Sequence, residues 1–126
     1  MNYVEPFAHA IETVTQKKIM PIIFVYITVS SLDEAKTISH ILINERLVGC
    51  VNIFPKMISV YRWHNEVVED TEVVMIAKTR SDLFDPLSTR VRSLHSYETP
   101  AILVLPIDRV DQHYLQWLID ETSSPE

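Results

Sequence analysis

Three side chains in this sequence have the chemistry to hold a metal ion together: Cys50, His95 and Glu98. A thiolate suits soft cations such as copper(I), and a neutral imidazole binds copper or zinc. Each also has an everyday structural reading. A lone free cysteine is often a small buried hydrophobe, and a histidine at a helix end can bond the terminal carbonyls. Sequence alone leaves both readings open. His9, His40 and His113 have no partner at a metal-ligand spacing such as H-x-x-x-H and read as solvent-facing.

A second set of residues falls on a β-hairpin. If His64-Asn65-Glu66 is a three-residue loop, Trp63 stands opposite Val67, Tyr61 opposite Glu69 and Ser59 opposite Thr71. One face then gathers two aromatic rings, a carboxylate and hydroxyls. Such a face can line a cleft for a cation or small polar ligand, or it can pack as an interface, where Tyr and Trp are enriched. Glu72 and Lys78 share the other strand face by parity, which suggests an ion pair across a subunit boundary. Tyr97 adjoins His95, while Trp117 and Tyr114 read as anchors of a last helix. Templates for catalysis fail. Ser59, Ser81 and Ser93 sit in no nucleophile elbow, there is no C-x-x-C motif, and Glu69 and Glu72 point to opposite strand faces. The expectation is a binding protein, not an enzyme.

The composition narrows the partners. Gly49 is the only glycine in 126 residues, which excludes a glycine-rich phosphate loop or dinucleotide fingerprint. A net charge of −6 argues against nucleic acid. No segment approaches the roughly 20 apolar residues that span a bilayer. A single cysteine, and an N-terminus without the charge and apolar order of a signal peptide, point to the cytoplasm. At 47% hydrophobic residues the chain has enough apolar material for one ordinary domain.

The elements that must position these residues follow from periodicity. Residues 1–20 read as an extension with a weak helix after Pro6, and residues 21–126 as the domain. Ile22 to Val29 is a continuous β-forming run, expected as a central strand covered on both faces. Ser31-Leu32-Asp33-Glu34 reads as a capping box ahead of a helix with Ala35, Ile38, Ile41 and Leu42 on its apolar side. Leu47 to Trp63 is rich in β-formers, with Pro55 marking a bend or bulge, and Val67 to Thr79 returns. Ser81 and Asp82 suggest the cap of a helix with Leu83, Leu87, Val91 and Leu94 inward. Ala101–Ile107 is a fourth strand and Asp111 to about Thr122 a last helix. The order β-α-β-β-α-β plus a helix is the ferredoxin-like, split β-α-β plan: an α+β fold with both main helices on one face of an antiparallel sheet.

That plan leaves a problem. About 17 residues at ~3.3 Å each give the Leu47–Trp63 strand a reach of about 55 Å, well beyond the ~30–35 Å span of a domain this size. A ribbon that projects exposes apolar residues and open edges. Pairing with other copies of the chain covers both, so a closed homo-oligomer is expected.

The motifs that fill these elements are Leu47-Val48-Gly49-Cys50-Val51-Asn52-Ile53-Phe54-Pro55, Ser59-Val60-Tyr61-Arg62-Trp63, Glu69-Asp70-Thr71-Glu72-Val73, Lys78-Thr79-Arg80-Ser81, His95-Ser96-Tyr97-Glu98-Thr99-Pro100 and Tyr114-Leu115-Gln116-Trp117. In this order they resemble the CutA divalent-cation tolerance family over about Ile22 to Trp117. The resemblance implies a homotrimer with hairpins paired between subunits, an architectural relation to PII signalling trimers, and a role in tolerance of copper and other divalent cations. No cofactor is required; a divalent metal, copper first, is the implied ligand. The sequence departs from the family at three places. The turn is His64-Asn65-Glu66, a usual proline is Ser96, and the positions of a family cysteine and an adjacent histidine pair are Ile27 and Leu94–His95. Of that copper-ligand set, His95 alone is kept. A PII-like trimer that senses a small organic ligand between subunits is the alternative reading.

Overall fold

The computed structural model describes residues 22–124. The expected extension over residues 1–20 and its helix after Pro6 lie outside them. Four strands and three helices follow one another along the described chain: β1 (Ile22–Val29), α1 (Leu32–Asn44), β2 (Cys50–Trp63), β3 (Glu66–Arg80), α2 (Phe84–Leu94), β4 (Ile102–Pro106) and α3 (Gln112–Glu121). The strands form one antiparallel sheet in the order β2-β3-β1-β4. The class is therefore α+β. No described helix is long and apolar enough to cross a membrane.

The core lies between one sheet face and the first two helices. Ile23, Val25, Ile27 and Val29 of β1 alternate inward with Val73, Met75 and Ala77 of β3. They meet Ala35, Ile38 and Leu42 of α1 and Leu87 and Val91 of α2, the apolar stripes that the helical spacing predicts. Ser31 caps α1 by accepting from the Glu34 N–H. The return arm of the expected capping box is displaced, because Glu34 reaches one residue further back, to Ser30. Ser81 and Asp82 do not cap α2: they form a 3₁₀ turn with no side-chain cap, and Asp82 instead pairs with Arg80 at 3.3 Å.

Residues 22–29 of β1 pair with 73–80 of β3, so among the described residues the first seven of β3 have only β2 beside them. This ribbon extends about 23 Å past the sheet at ~3.3 Å per residue. Between the pairs Phe54↔Val74 and Met57↔Glu72, β2 advances three residues against two on β3. That extra residue is the bulge that Pro55 predicts. It changes which parity of β2 shares a face with the even residues of β3, so Met57, Ser59, Tyr61 and Trp63 lie on the sheet face away from α1 and α2.

The turn differs from expectation. His64 and Asn65 both have positive φ, 49° and 67°, and Trp63 pairs with Glu66. This is a two-residue turn of the primed type, which matches the twist of the strands. The register is therefore one residue off that of a three-residue loop. Tyr61 faces Val68, Ser59 faces Asp70, and Glu69 faces Val60.

Helix α3 begins at Asp111, whose carboxylate accepts from the N–H groups of His113 and Tyr114. Its Leu118 is fully buried, and a Cβ on Gly49 would run into Leu118 Cδ1 and approach the Trp117 ring. Gly49 is thus a close-packing position, not a turn that needs positive φ. Gly49→Ala should lower the urea-unfolding free energy by about 1–3 kcal/mol through overpacking. Adding Leu118→Val should recover part of that loss; equal and additive losses would rule out the contact.

Candidate functional site

Where the ribbon leaves the sheet, three segments line a half-open cavity of about 340 Å³. The ribbon supplies Tyr61 and Trp63 from β2 and Asp70 and Glu72 from β3. Thr28 comes from the end of β1, and Tyr97, Thr99 and Ala101 come from the connection between α2 and β4. Strand parity explains the carboxylates: Asp70 and Glu72 are two residues apart and so point to the same side, about 6.6 Å apart along the strand.

Each carboxylate receives one phenol. Tyr61 Oη donates to Asp70 Oδ2 at 3.1 Å, and Tyr97 Oη donates to Glu72 Oε2 at 2.8 Å. Glu72 is only 8% exposed although it carries a charge. Among the described residues no ion pair engages either acid, and no Lys, Arg or His lines the cavity. Desolvation and then the neighbouring carboxylates raise the pKa of both tyrosines above the ordinary phenol value, most strongly for Tyr97. They stay protonated donors at neutral pH, and among the described residues no cationic side chain faces the two acids.

Tyr97 is held from behind. The backbone turns out of α2 at His95, whose Nε2 contacts the Thr28 carbonyl oxygen at 2.7 Å. A carbonyl can only accept, so Nε2 carries the proton. The Tyr97 N–H then donates to Nδ1 at 3.0 Å, and the two rings lie 4.8 Å apart. Glu34 ties the same connection to the start of α1. It accepts from the Ser96 N–H at 2.8 Å, from the Ser96 hydroxyl, and from the Ser30 N–H and hydroxyl. Burial works against its charge, but the hydrogen bonds of Ser30 and Ser96 outweigh it and hold the carboxyl below its usual value.

The expected metal set is not assembled within one chain. Both nitrogens of the buried His95 side chain are spent on the protein. Cys50 is half-buried at the far end of the sheet, paired with Lys78, and Glu98 is exposed. Among the described residues no three His, Cys, Asp or Glu side chains gather as a metal site. The expected cleft set is partly assembled. Tyr61, Trp63 and Tyr97 line the cavity, and Ser59 stands on the same face opposite Asp70. Glu69 is replaced in that role by Asp70, because the tighter turn moves β3 by one residue. Within one chain Lys78 does not meet Glu72, the pair expected across a subunit boundary. Its ammonium lies 5.3 Å from the Phe24 ring and 5.8 Å from that of Tyr114. Trp117 packs with Tyr114 at 5.6 Å, near Gly49 and away from the cavity. Sequence reasoning missed Asp70, Thr28, Thr99 and Ala101, and it set Glu72 on the strand face opposite the aromatic rings. The signal for Asp70 was present in Asn65, a residue that tolerates positive φ and so permits a two-residue turn.

Residues 23–121 match the profile of the CutA1 divalent ion tolerance protein. A curated relative from Thermus thermophilus, named divalent-cation tolerance protein CutA, is 47% identical over 98 residues, covering 78% of this chain and 95% of the relative. One from Archaeoglobus fulgidus with the same name is 44% identical, with 79% and 95% covered. Among solved structures, CutA1 from Ehrlichia chaffeensis superposes with a TM-score of 0.80 at 33% identity, covering 85% of this chain and all of that one.

The brace at Glu34 is testable. Removing it in Glu34→Ala should lower stability at neutral pH by about 1–3 kcal/mol, the cost of orphaning its partners. Because folding lowers the Glu34 pKa, its contribution is complete above the ordinary carboxyl value of 4.5 and fades as pH falls through the lower folded value. Urea unfolding at a series of pH values should show the two proteins converging in acid. A gap that stays constant down to pH about 3 would mean the charge is not what stabilises.

Proposed function

Because the chain belongs to the CutA1 divalent ion tolerance family, we propose that it acts as a homotrimer that binds divalent cations and contributes to tolerance of them. The observation that carries the cation reading is the pair Asp70 and Glu72, two acids on one cavity wall with no cationic partner among the described residues. A divalent ion would neutralise that wall. Copper(II) stands first to be tried, since it heads the affinity order of divalent ions for nitrogen and oxygen donors. One chain offers two carboxylates and the phenols; water and an adjoining subunit would complete the set. His95 enters this reading as the residue that positions Tyr97.

The trimer has its own support. Ile58, Val60 and Val67 on the outer side of the ribbon are 62%, 64% and 68% exposed, and Phe54, Leu103 and Leu105 are exposed on the sheet face away from α1 and α2. A strand order of β2-β3-β1-β4 fits the ferredoxin-like plan, whose outer face needs a cover. Ribbons exchanged around a threefold axis supply one, and closed symmetry leaves no open edge.

Native mass spectrometry should give three times the chain mass at micromolar concentration. Calorimetric titration with copper(II), zinc and cobalt should give saturable heat that Asp70→Asn with Glu72→Gln weakens at least about tenfold, the cost of losing charge-assisted contacts. A monomeric mass would remove the trimer. Absence of heat with all three metals would remove the cation reading.

A further inference from the structure

The cavity has more than a metal ion uses. Tyr61, Trp63 and Tyr97 give it aromatic walls, and Ala101 and Thr99 add apolar and hydroxyl surface. Its volume, about 340 Å³, falls at the lower end of the range for sites that hold small molecules. Ligating a bare cation requires oxygen or nitrogen donors at short distance, and rings contribute little to that. An ammonium group is different: carboxylates and ring faces both attract it, and alkyl carbons pack on the same rings.

We propose that this cavity is a site for a small aliphatic amine carrying two ammonium groups. Asp70 and Glu72 each present an acceptor to one end, and the rings of Tyr61, Trp63 and Tyr97 cover the alkyl spacer between them. Glu72 is the stronger anchor, because it is nine-tenths buried and only one of its oxygens has a hydrogen bond, that of Tyr97, among the described residues. Asp70 sits nearer the exposed mouth, where Trp63 and Tyr61 are partly open to solvent. Tyr61 and Tyr97, as donors to the acids, keep both carboxylates aimed and leave their remaining lone pairs for the ligand. Anionic ligands are repelled by the same wall, and neutral diols of equal length lack the charge that would repay desolvating Glu72. The inference rests on the reading of this cavity as the protein's binding site, and narrows the ligand from a cation in general to an organic one.

The test uses the full chain and separate titrations by calorimetry with diaminobutane, with butanediol of the same length, and with copper(II). Diaminobutane should bind once per chain while butanediol gives no saturable heat. Glu72→Gln and Trp63→Ala should each weaken the amine about tenfold, and Trp63→Phe should restore most of it, as a ring-face contact requires. Equal heats from diamine and diol, or diamine affinity unchanged in both Glu72→Gln and Trp63→Ala, would overturn the proposal. Copper binding without amine binding would leave the cation function standing and overturn this inference. Amine binding without metal binding would do the reverse.

Discussion

Everything distinctive in this molecule follows from two strands that outrun their sheet. The eight residues of β1 pair with the C-terminal half of β3, and β4 is shorter still. Among the described residues, the β2–β3 ladder beyond Val73 has no third strand beside it. Two-stranded ribbons are marginal in water by themselves. The ribbon therefore brings its own devices: a bulge at Pro55 and Lys56, a tight primed turn, and a side of aliphatic residues that gains from being covered. The cavity forms at the exit point because that is where the sheet stops supplying neighbours and the connection after α2 folds in to fill the gap.

The same exit point concentrates polar groups that a sheet interior would not tolerate. Burying Glu72 as an anion is costly unless it is hydrogen-bonded, and the Tyr97 phenol meets that need from the other side of the cavity. Tyr97 in turn depends on a backbone held by His95 and on a connection pinned by Glu34. Hydrogen bonds at Ser96, His95 and Tyr97, joined by the backbone between these residues, thus link the start of α1 to the acid in the cavity. Each member uses groups that would otherwise be orphaned: the N–H of Ser96, the carbonyl of Thr28 and both nitrogens of a buried imidazole. Such networks reward completeness, since a partner left alone in a low-dielectric setting costs more than the bond was worth.

Much of this was legible from residue types. Helical spacing in Ala35, Ile38 and Leu42, the β-rich run from Ile22, and the excess length from Leu47 to Trp63 all express local physics, and they yield the element order and the projecting hairpin. Pro55 marks the bulge because a residue without an N–H cannot sit in a regular ladder. The site was less legible because it depends on register. Tyr61, Trp63 and Tyr97 were recognisable as aromatic wall residues from their placement on or beside the ribbon. Choosing Asp70 over Glu69 required the turn length, and two- and three-residue loops are both compatible with the letters His-Asn-Glu. The engagement of His95 was hidden for another reason: its partners Thr28 and Tyr97 are set by tertiary packing, and a histidine free for metal and one locked in a brace look identical in sequence.

The turn also decides what kind of surface the ribbon has. A strand sends successive side chains to opposite faces, so a slip of one residue on β3 exchanges the neighbours of every β2 side chain. In the observed register Asp70 and Glu72 join Ser59, Tyr61 and Trp63, while Val67 joins Ile58 and Val60 on the reverse. One residue more in the loop would put Val67 beside the aromatics and Asp70 among the aliphatics. In that register Glu69 would stand beside Tyr61, and both Asp70 and Glu72 would leave the aromatic rings for the side of Ile58 and Val60. The positive φ values of His64 and Asn65 therefore act at a distance. They separate an acidic, aromatic face from a largely aliphatic one, on a single two-stranded ribbon that carries both.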